Sequence, residues 1–137
     1  MRRIWIPILL VVGLSGCWVQ FRGDAAHTGV QPFESAVGVA NVATLADVWT
    51  VSTTGGISSS PAVANGVVYV GSSDHTLYAS DATGVAGCSG APKLCAPLWM
   101  ATTGDAVNSS PAVANGVVYV GSVDMKLYAF DATGAVG

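Results

Sequence analysis

Two stretches of the sequence are nearly the same, and they decide the fold. Residues 59–84 read SSPAVANGVVYVGSSDHTLYASDATG, and residues 109–134 read SSPAVANGVVYVGSVDMKLYAFDATG. The offset is 50 residues, and it also carries Trp49 onto Trp99. A fixed period of this length is typical of architectures in which one supersecondary unit stacks on the next. We therefore expect two copies of one structural unit.

Each unit is built from short strands and tight turns. Asn65-Gly66 and its repeat Asn115-Gly116 are the preferred pair for a two-residue type I′ hairpin, because both central positions need a positive φ. Val67–Gly71 is rich in β-branched residues and apolar on both faces, which predicts a strand buried on both sides. Three further strands of the first unit are expected at 61–64, 77–80 and 97–102. No helical spacing with caps follows residue 17.

Four short antiparallel strands in each unit predict an all-β fold of the propeller class. The expected architecture is a partial β-propeller of four-stranded antiparallel blades, with about two blades present. The composition agrees: hydrophobic residues make up 51 % of the 137 residues and charged residues 9 %. So apolar a chain is neither disordered nor a coiled coil. A formal charge of −3 argues against nucleic-acid binding.

The N-terminus reads as an export signal. Met1-Arg2-Arg3 is followed by the apolar run Ile4–Leu14, which is too short to span a bilayer and has the layout of a secretory signal peptide. Leu14-Ser15-Gly16-Cys17 resembles a bacterial lipobox. We therefore expect residues 1–16 to be a lipoprotein signal peptide and Cys17 to be the lipidated residue. The alternative is an ordinary signal with a chance cysteine.

Removal of residues 1–16 would leave three basic and eight acidic residues, a net charge of −5. Membrane attachment would then come from the acyl chains on Cys17 rather than from basic side chains. The expected location is the outer face of a bacterial membrane, at the cell surface or in the periplasm.

The repeated residues resemble the PQQ-like (pyrroloquinoline-quinone-type) β-propeller repeat, in its secreted lipoprotein form. The resemblance rests on SSPAVANGVVYVGS, on LYA-x-DATG and on the Leu98-Trp99 that follows. It implies a tryptophan-docking motif with structural, repeated residues: Ala79, Asp81, Gly84, Trp99, Asp131 and Gly134. It also implies a lead-in over 17–48, propeller repeats over 49–137, a first blade at 59–102 and an incomplete second blade at 109–137.

The sequence departs from the family pattern at 85–98, where an insertion separates Gly84 from Trp99 and is expected to project as a loop. It contains Cys88 and Cys95, which in an exported protein predict a disulfide. A metal or redox pair is the alternative, but neither a C-x-x-C spacing nor a His/Cys cluster supports it.

The second copy stops one residue before the position of a second cysteine, so the strand equivalent to that of Trp99 is missing from it. By the usual ring closure of the family, the Trp49 strand would pair with a last blade. We therefore interpret the chain as a fragment of a larger protein.

Some members of the family are quinoprotein dehydrogenases that use PQQ and Ca²⁺, but that constellation cannot be placed here. Asp81 and Asp131 keep the repeat and are expected to be turn residues, so no catalytic, cofactor-binding or metal-binding residue is assigned. The positions at which the copies differ cluster at one hairpin and are the candidates for a binding surface: Ser73/Val123, His75/Met125 and Thr76/Lys126.

The leading hypothesis is a non-catalytic, lipid-anchored extracytoplasmic scaffold or binding protein with a protein partner and no cofactor. Similar lipoproteins of the family assist outer-membrane protein assembly through β-augmentation and loop contacts. The alternatives are a fragment of a PQQ-dependent alcohol or sugar dehydrogenase, which would bind PQQ with Ca²⁺, and a fragment of a receptor sensor propeller.

Overall fold

A computed structural model describes residues 40–135, and apart from one 3₁₀ turn at Val42–Thr44 these residues form strands and turns. Cys17 and the proposed signal peptide lie outside this range. The strands in chain order are β1 (Thr50–Val51), β2 (Ala62–Ala64), β3 (Val67–Gly71), β4 (Thr76–Asp81), β5 (Cys88–Ser89), β6 (Leu94–Cys95), β7 (Trp99–Thr102), β8 (Ala112–Ala114), β9 (Val117–Gly121) and β10 (Leu127–Asp131). Within 40–135, no helix has the length and hydropathy needed to cross a bilayer.

The strands form two main sheets, one for each copy of the repeat. Sheet 1 has the order β2-β3-β4-β7 and is antiparallel throughout. Sheet 2 has the order β8-β9-β10 and is also antiparallel. The predicted all-β fold, a partial propeller of about two blades, is confirmed.

The first hairpin of each unit has the predicted turn. Asn65 has a φ of 51° and Gly66 of 77°, and Asn115 and Gly116 repeat these values. Two successive positive φ angles are what a type I′ turn requires, and its twist matches that of the flanking strands. The turn therefore sets the register in which Val63 faces Val68 across the hairpin.

Sheet 1 packs face to face on sheet 2, and the core lies between them. Sheet 1 contributes Tyr69 and Leu77, which are fully buried. Small residues of the same sheet, such as Ala79, let the two sheets approach each other. Val118 and Val120 meet them from sheet 2. Alternate residues of a strand point to opposite faces, so each strand of sheet 1 contributes every second residue to this core.

A tryptophan from each unit docks on the turn that ends the next sheet. Trp99 Nε1 donates a hydrogen bond to the carbonyl of Ala132 at 3.1 Å, and its ring lies against Gly134. Trp49 Nε1 donates in the same way to Ala82, at 3.3 Å. These contacts tie the outer strand of one unit to the last turn of the following one.

The aspartate of the motif holds that turn in shape. Asp81 Oδ1 accepts hydrogen bonds from the amide and the hydroxyl of Thr83, and Asp131 accepts the same two from Thr133. An aspartate that binds the backbone two residues ahead is a common turn device. Each aspartate is the last residue of its strand and shapes the turn that follows.

The inserted segment 85–98 is not the isolated projecting loop that the sequence analysis expected. Cys88 and Cys95 form the predicted disulfide, and they face each other in a short hairpin of β5 and β6. Strand β6 pairs in parallel with β1, and the amide of Thr50 donates to the carbonyl of Lys93. In the described residues, the Trp49 strand therefore pairs with the cysteine loop, which the sequence analysis did not predict.

The docking of Trp99 can be tested with two matched glycine substitutions. Gly134 has a φ of 78°, and an added Cβ would lie 2.5 Å from Trp99 Cδ1. Gly116 has a φ of 77°, with open space around its Cβ position. A left-handed alanine costs about 1–2 kcal/mol at either site. Displacement of a packed tryptophan should add about 2 kcal/mol or more at Gly134 alone.

We expect Gly134→Ala to lower the free energy of unfolding well beyond Gly116→Ala, as measured by urea denaturation. Equal losses in the two variants would contradict the role assigned to Trp99.

Candidate functional site

Three of the four positions that differ within the repeated block lie together on one surface. The turns that join β3 to β4 and β9 to β10 flank the segment 103–108, and we call residues 72–76, 103–108 and 122–126 the hairpin surface. The amide of Val107 donates to the carbonyl of Ser72, and the amide of Val123 donates to that of Ala106. The two turns and the segment between them therefore form one continuous backbone frame.

Asp74 anchors the first turn of this surface. Its carboxylate accepts hydrogen bonds from the Tyr78 hydroxyl at 2.7 Å, from the Thr54 amide and hydroxyl and from the Gly55 amide. Burial raises the pKa of Asp74, but the hydrogen bonds from Tyr78 and Thr54 outweigh it, so the pKa lies well below its ordinary value. The aspartate thus clamps the preceding segment to the turn.

Asp124 repeats this arrangement in the second turn. Its carboxylate accepts from the Tyr128 hydroxyl, from the Gly104 amide and from the Lys126 ammonium at 3.2 Å. The hydrogen bond from Tyr128 lowers the pKa of Asp124 to about 2. Both turns are therefore fixed by an ionised aspartate whose acceptor oxygens are used inside the protein.

The variable side chains stand outward from this frame. The first turn presents Ser73 and His75, and His75 Nε2 lies 3.5 Å from Asp105 Oδ1. The second turn presents Met125, which is 95 % exposed, and Val123, which is 53 % exposed. The first turn of the surface is thus polar, whereas the second presents two apolar side chains beside Lys126.

The residues of the tryptophan-docking motif do not join this surface. Asp81 is the last residue of β4 and Gly84 lies three residues after it, whereas the first turn of the hairpin surface leads into the start of β4. A six-residue strand spans about 20 Å. The same separation holds for Asp131 and Gly134 at the end of β10.

The repeated aspartates do not fit a Ca²⁺ and quinone site. The carboxylates of Asp81 and Asp131 bind amides and hydroxyls of their own turns. Those of Asp74 and Asp124 bind a glycine amide of the segment before their sheet strand and a tyrosine hydroxyl. The four carboxylates also lie at opposite ends of the strands rather than around one point. Within residues 40–135, no group of three His, Cys, Asp or Glu side chains has the arrangement of a metal site.

The sequence analysis missed a second feature, an apolar cleft beside sheet 1. Its volume is about 350 Å³, and we define it by its lining residues: Trp49, Thr50, Val51, Thr53, Ile57, Ser59, Pro61, Val68, Val70 and Ser80. The sequence does contain an indication of this cleft, because Ser80 occupies the position that Phe130 has in the second copy. The smaller side chain leaves room on this face of the sheet.

Blade-like sheets, docked tryptophans and turn-forming aspartates define a protein of the β-propeller repeat class. The family model described as outer membrane protein assembly factor BamB matches residues 34–136, and the chain belongs to this family. No curated protein sequence matches the chain.

Several solved structures share the fold. Quinohemoprotein alcohol dehydrogenase from Comamonas testosteroni is 26 % identical, with a TM-score of 0.70 over 85 % of this chain. The quinohemoprotein alcohol dehydrogenase ADHIIG from Pseudomonas putida HK5 is also 26 % identical, with a TM-score of 0.69 over 87 %. BamB from Moraxella catarrhalis is 16 % identical, with a TM-score of 0.51 over 64 %. The chain spans 18 % of each dehydrogenase and 25 % of that BamB.

The ionised turn aspartates predict how stability depends on pH. A carboxylate whose folded pKa lies below its unfolded value stabilises the protein above the unfolded pKa, here 3.8, and this contribution is lost as the pH falls through the folded value. We therefore expect the free energy of unfolding to be steady above about pH 5 and to fall steeply between about pH 4 and 2.

Asp124→Asn should make this fall smaller, because one of the four aspartates with a lowered pKa no longer titrates. Asp47→Asn, at an exposed position outside both sheets, should leave it unchanged. Urea unfolding at stepped pH values measures both. An acid loss as large in Asp124→Asn as in the unmodified protein would contradict the anchoring role of Asp124.

Proposed function

We propose that the chain is part of a non-catalytic β-propeller scaffold that binds protein partners through the hairpin surface. One observation carries this proposal: the repeated aspartates are committed to holding turns, while three of the four positions that differ within the repeated block lie on one surface. The carboxylates of these aspartates accept hydrogen bonds from amides and hydroxyls of the fold, which supports a structural rather than a catalytic role.

The hairpin surface suits protein binding for a physical reason. Its backbone is held by Asp74 and Asp124, so little conformational freedom is lost when a partner docks. Met125 and Val123 offer apolar contact area, and Lys126 stands beside them. The family description as an outer membrane protein assembly factor supports a role toward proteins of the outer membrane.

The test is complementation in the bacterium that encodes the chain. Cells that lack it should contain less folded outer-membrane β-barrel protein, scored by its heat-dependent shift on gels. The unmodified protein should restore that level, and a Val123→Asp, Met125→Asp double variant should not. Val85→Asp, which adds a charge at an exposed position outside the hairpin surface, is the matched control and should restore it. Full rescue by the double variant would refute this use of the surface.

A second candidate is a fragment of a quinoprotein dehydrogenase. It is favoured by the 26 % identity and the TM-score of 0.70 to a quinohemoprotein alcohol dehydrogenase. When bound, PQQ with Ca²⁺ would supply the oxidation chemistry. Addition of both to the full-length protein from which this chain comes should produce dye-linked oxidation of alcohols or sugars if this candidate is right, and such activity would overturn the scaffold proposal.

We also propose that the protein is exported and anchored through a lipid on Cys17. The support is the basic start, the apolar run and the Leu14-Ser15-Gly16-Cys17 tetrapeptide. Cys17→Ser should leave an unlipidated precursor of higher mass, detected by intact mass spectrometry of the membrane fraction. Unchanged processing of this variant would count against the anchor.

A further inference from the structure

The cysteine loop, residues 85–98, contacts the strand that follows Trp49 and also the turn on which Trp49 docks. The amide of Thr50 donates a hydrogen bond to the carbonyl of Lys93 at 3.0 Å. The Lys93 ammonium donates to the carbonyl of Gly84 at 2.9 Å, and the Trp49 ring packs on that same glycine. Lys93 therefore binds the strand through its carbonyl and the turn through its side chain.

Both ends of the cysteine loop are attached to sheet 1. At the start of the loop, the carboxylate of Asp81 accepts hydrogen bonds from the amides of Val85 and Ala86, at 3.1 and 2.6 Å. At its end, the amide of Leu98 donates to the carbonyl of Ala79 at 2.7 Å. The part of the loop that can change its shape is therefore the hairpin of β5 and β6 between these anchors.

The disulfide is the strongest constraint on this hairpin. Its two strands have two residues each, with Cys88 opposite Cys95 and Ser89 opposite Leu94. A two-stranded hairpin has little stability of its own in water. Burial adds little here, because Leu94 is 56 % exposed. The disulfide removes the freedom of the open chain, so the closed hairpin and the position of Lys93 depend on it.

The disulfide can be reached from solvent without unfolding of the sheets. Cys88 is half-buried, and residues 89–93 at the tip of the hairpin are exposed. Cys95 is buried, so an incoming thiolate meets the sulfur of Cys88 first. The core between sheets 1 and 2 is made of residues outside the loop, such as Tyr69 and Val118. Opening of the hairpin therefore leaves that core in place.

We propose that the cysteine loop is a redox-sensitive latch on the Trp49 strand. With the disulfide formed, the hairpin holds Thr50 beside the turn of Gly84. When a dithiol reduces the disulfide, the hairpin opens, Lys93 leaves both partners and the docked tryptophan is released, while sheets 1 and 2 stay folded. Local opening of this kind is typical of segments with few buried apolar contacts.

The reduction is an ordinary thiol–disulfide exchange. A thiolate of the dithiol attacks Cys88 Sγ and forms a mixed disulfide, while the Cys95 thiolate leaves and takes up a proton. The second thiol of the reductant then attacks the reductant's own sulfur in the mixed disulfide and releases the Cys88 thiolate, which is also protonated. Two electrons pass to the protein, and the reductant ends as a disulfide.

Amide hydrogen exchange followed by NMR tests the latch in the full chain, with Cys17→Ser so that only the loop cysteines respond. Addition of dithiothreitol should make the Thr50 amide exchange about tenfold faster or more, because its acceptor on Lys93 is withdrawn. The amides of Tyr69 and Val118, in the central strands of the two sheets, should keep their rates. Reoxidation should restore the protection of Thr50.

Tryptophan fluorescence tests whether the docked ring follows the disulfide. Reduction should shift the emission of the protein to longer wavelength, because the Trp49 ring leaves its place on Gly84. Trp49→Phe should abolish this shift. Trp99→Phe is the matched control, since Trp99 docks on the turn of Gly134 away from the cysteine loop, and it should keep the shift.

Three results would overturn the proposal. The first is a disulfide that dithiothreitol reduces only after urea is added. The second is an unchanged exchange rate at Thr50 after complete reduction. The third is an equal acceleration at Thr50, Tyr69 and Val118, because the disulfide would then support the whole fold rather than one strand.

Discussion

The contact between the two sheets is the interaction on which the structure depends. A single sheet of this sequence is apolar on both faces, so burial of one face against another sheet stabilises it. Tyr69 and Leu77 are withdrawn from water by Val118 and Val120, and each such side chain contributes about 1.5–3 kcal/mol when fully buried. The alanines between them keep the separation small enough for this contact. The tryptophans and the turn aspartates serve the same end, because they hold each sheet at the distance and angle at which the next can cover it.

This dependence explains how the protein divides its residues between structure and function. Residues that hold a turn, such as Asp81 and Asp131, are the same in each unit, because each turn is built in the same way. The side chains that stand outward from the first turn of each sheet differ between the copies, as His75 and Met125 do. Asp74 and Asp124 show the division within a single hairpin, since the aspartate is constant and the residue beside it changes. A surface of this kind can acquire a new partner without loss of stability.

Most of the fold could be predicted from the sequence, because the repeat places strand signals at fixed intervals. Asn65-Gly66 determined a hairpin, and the strand signals of the first unit correspond to strands of sheet 1 within a residue or two. The pairing of Cys88 with Cys95 followed from their isolation in one short segment. The pairing of β6 with β1 could not be predicted, since it joins two-residue strands from distant segments without a hydrophobic pattern. The apolar cleft was missed for a related reason: it depends on a difference in volume between Ser80 and Phe130 that matters only when the sheets are stacked. The positions of the hairpin surface were predicted, but their backbone frame was not, because its hydrogen bonds come from the segments 53–56 and 103–108.

The cysteine loop has a consequence for solubility. A two-residue strand such as β1 would expose backbone donors and acceptors on both of its edges, and exposed edges are sites of uncontrolled aggregation. Strand β6 covers one of these edges, and the disulfide keeps the hairpin that carries it closed. Any further backbone pairing at β1 is thereby confined to its other edge. The disulfide, which joins cysteines seven positions apart, thus protects one edge of a strand that is distant from it in the sequence.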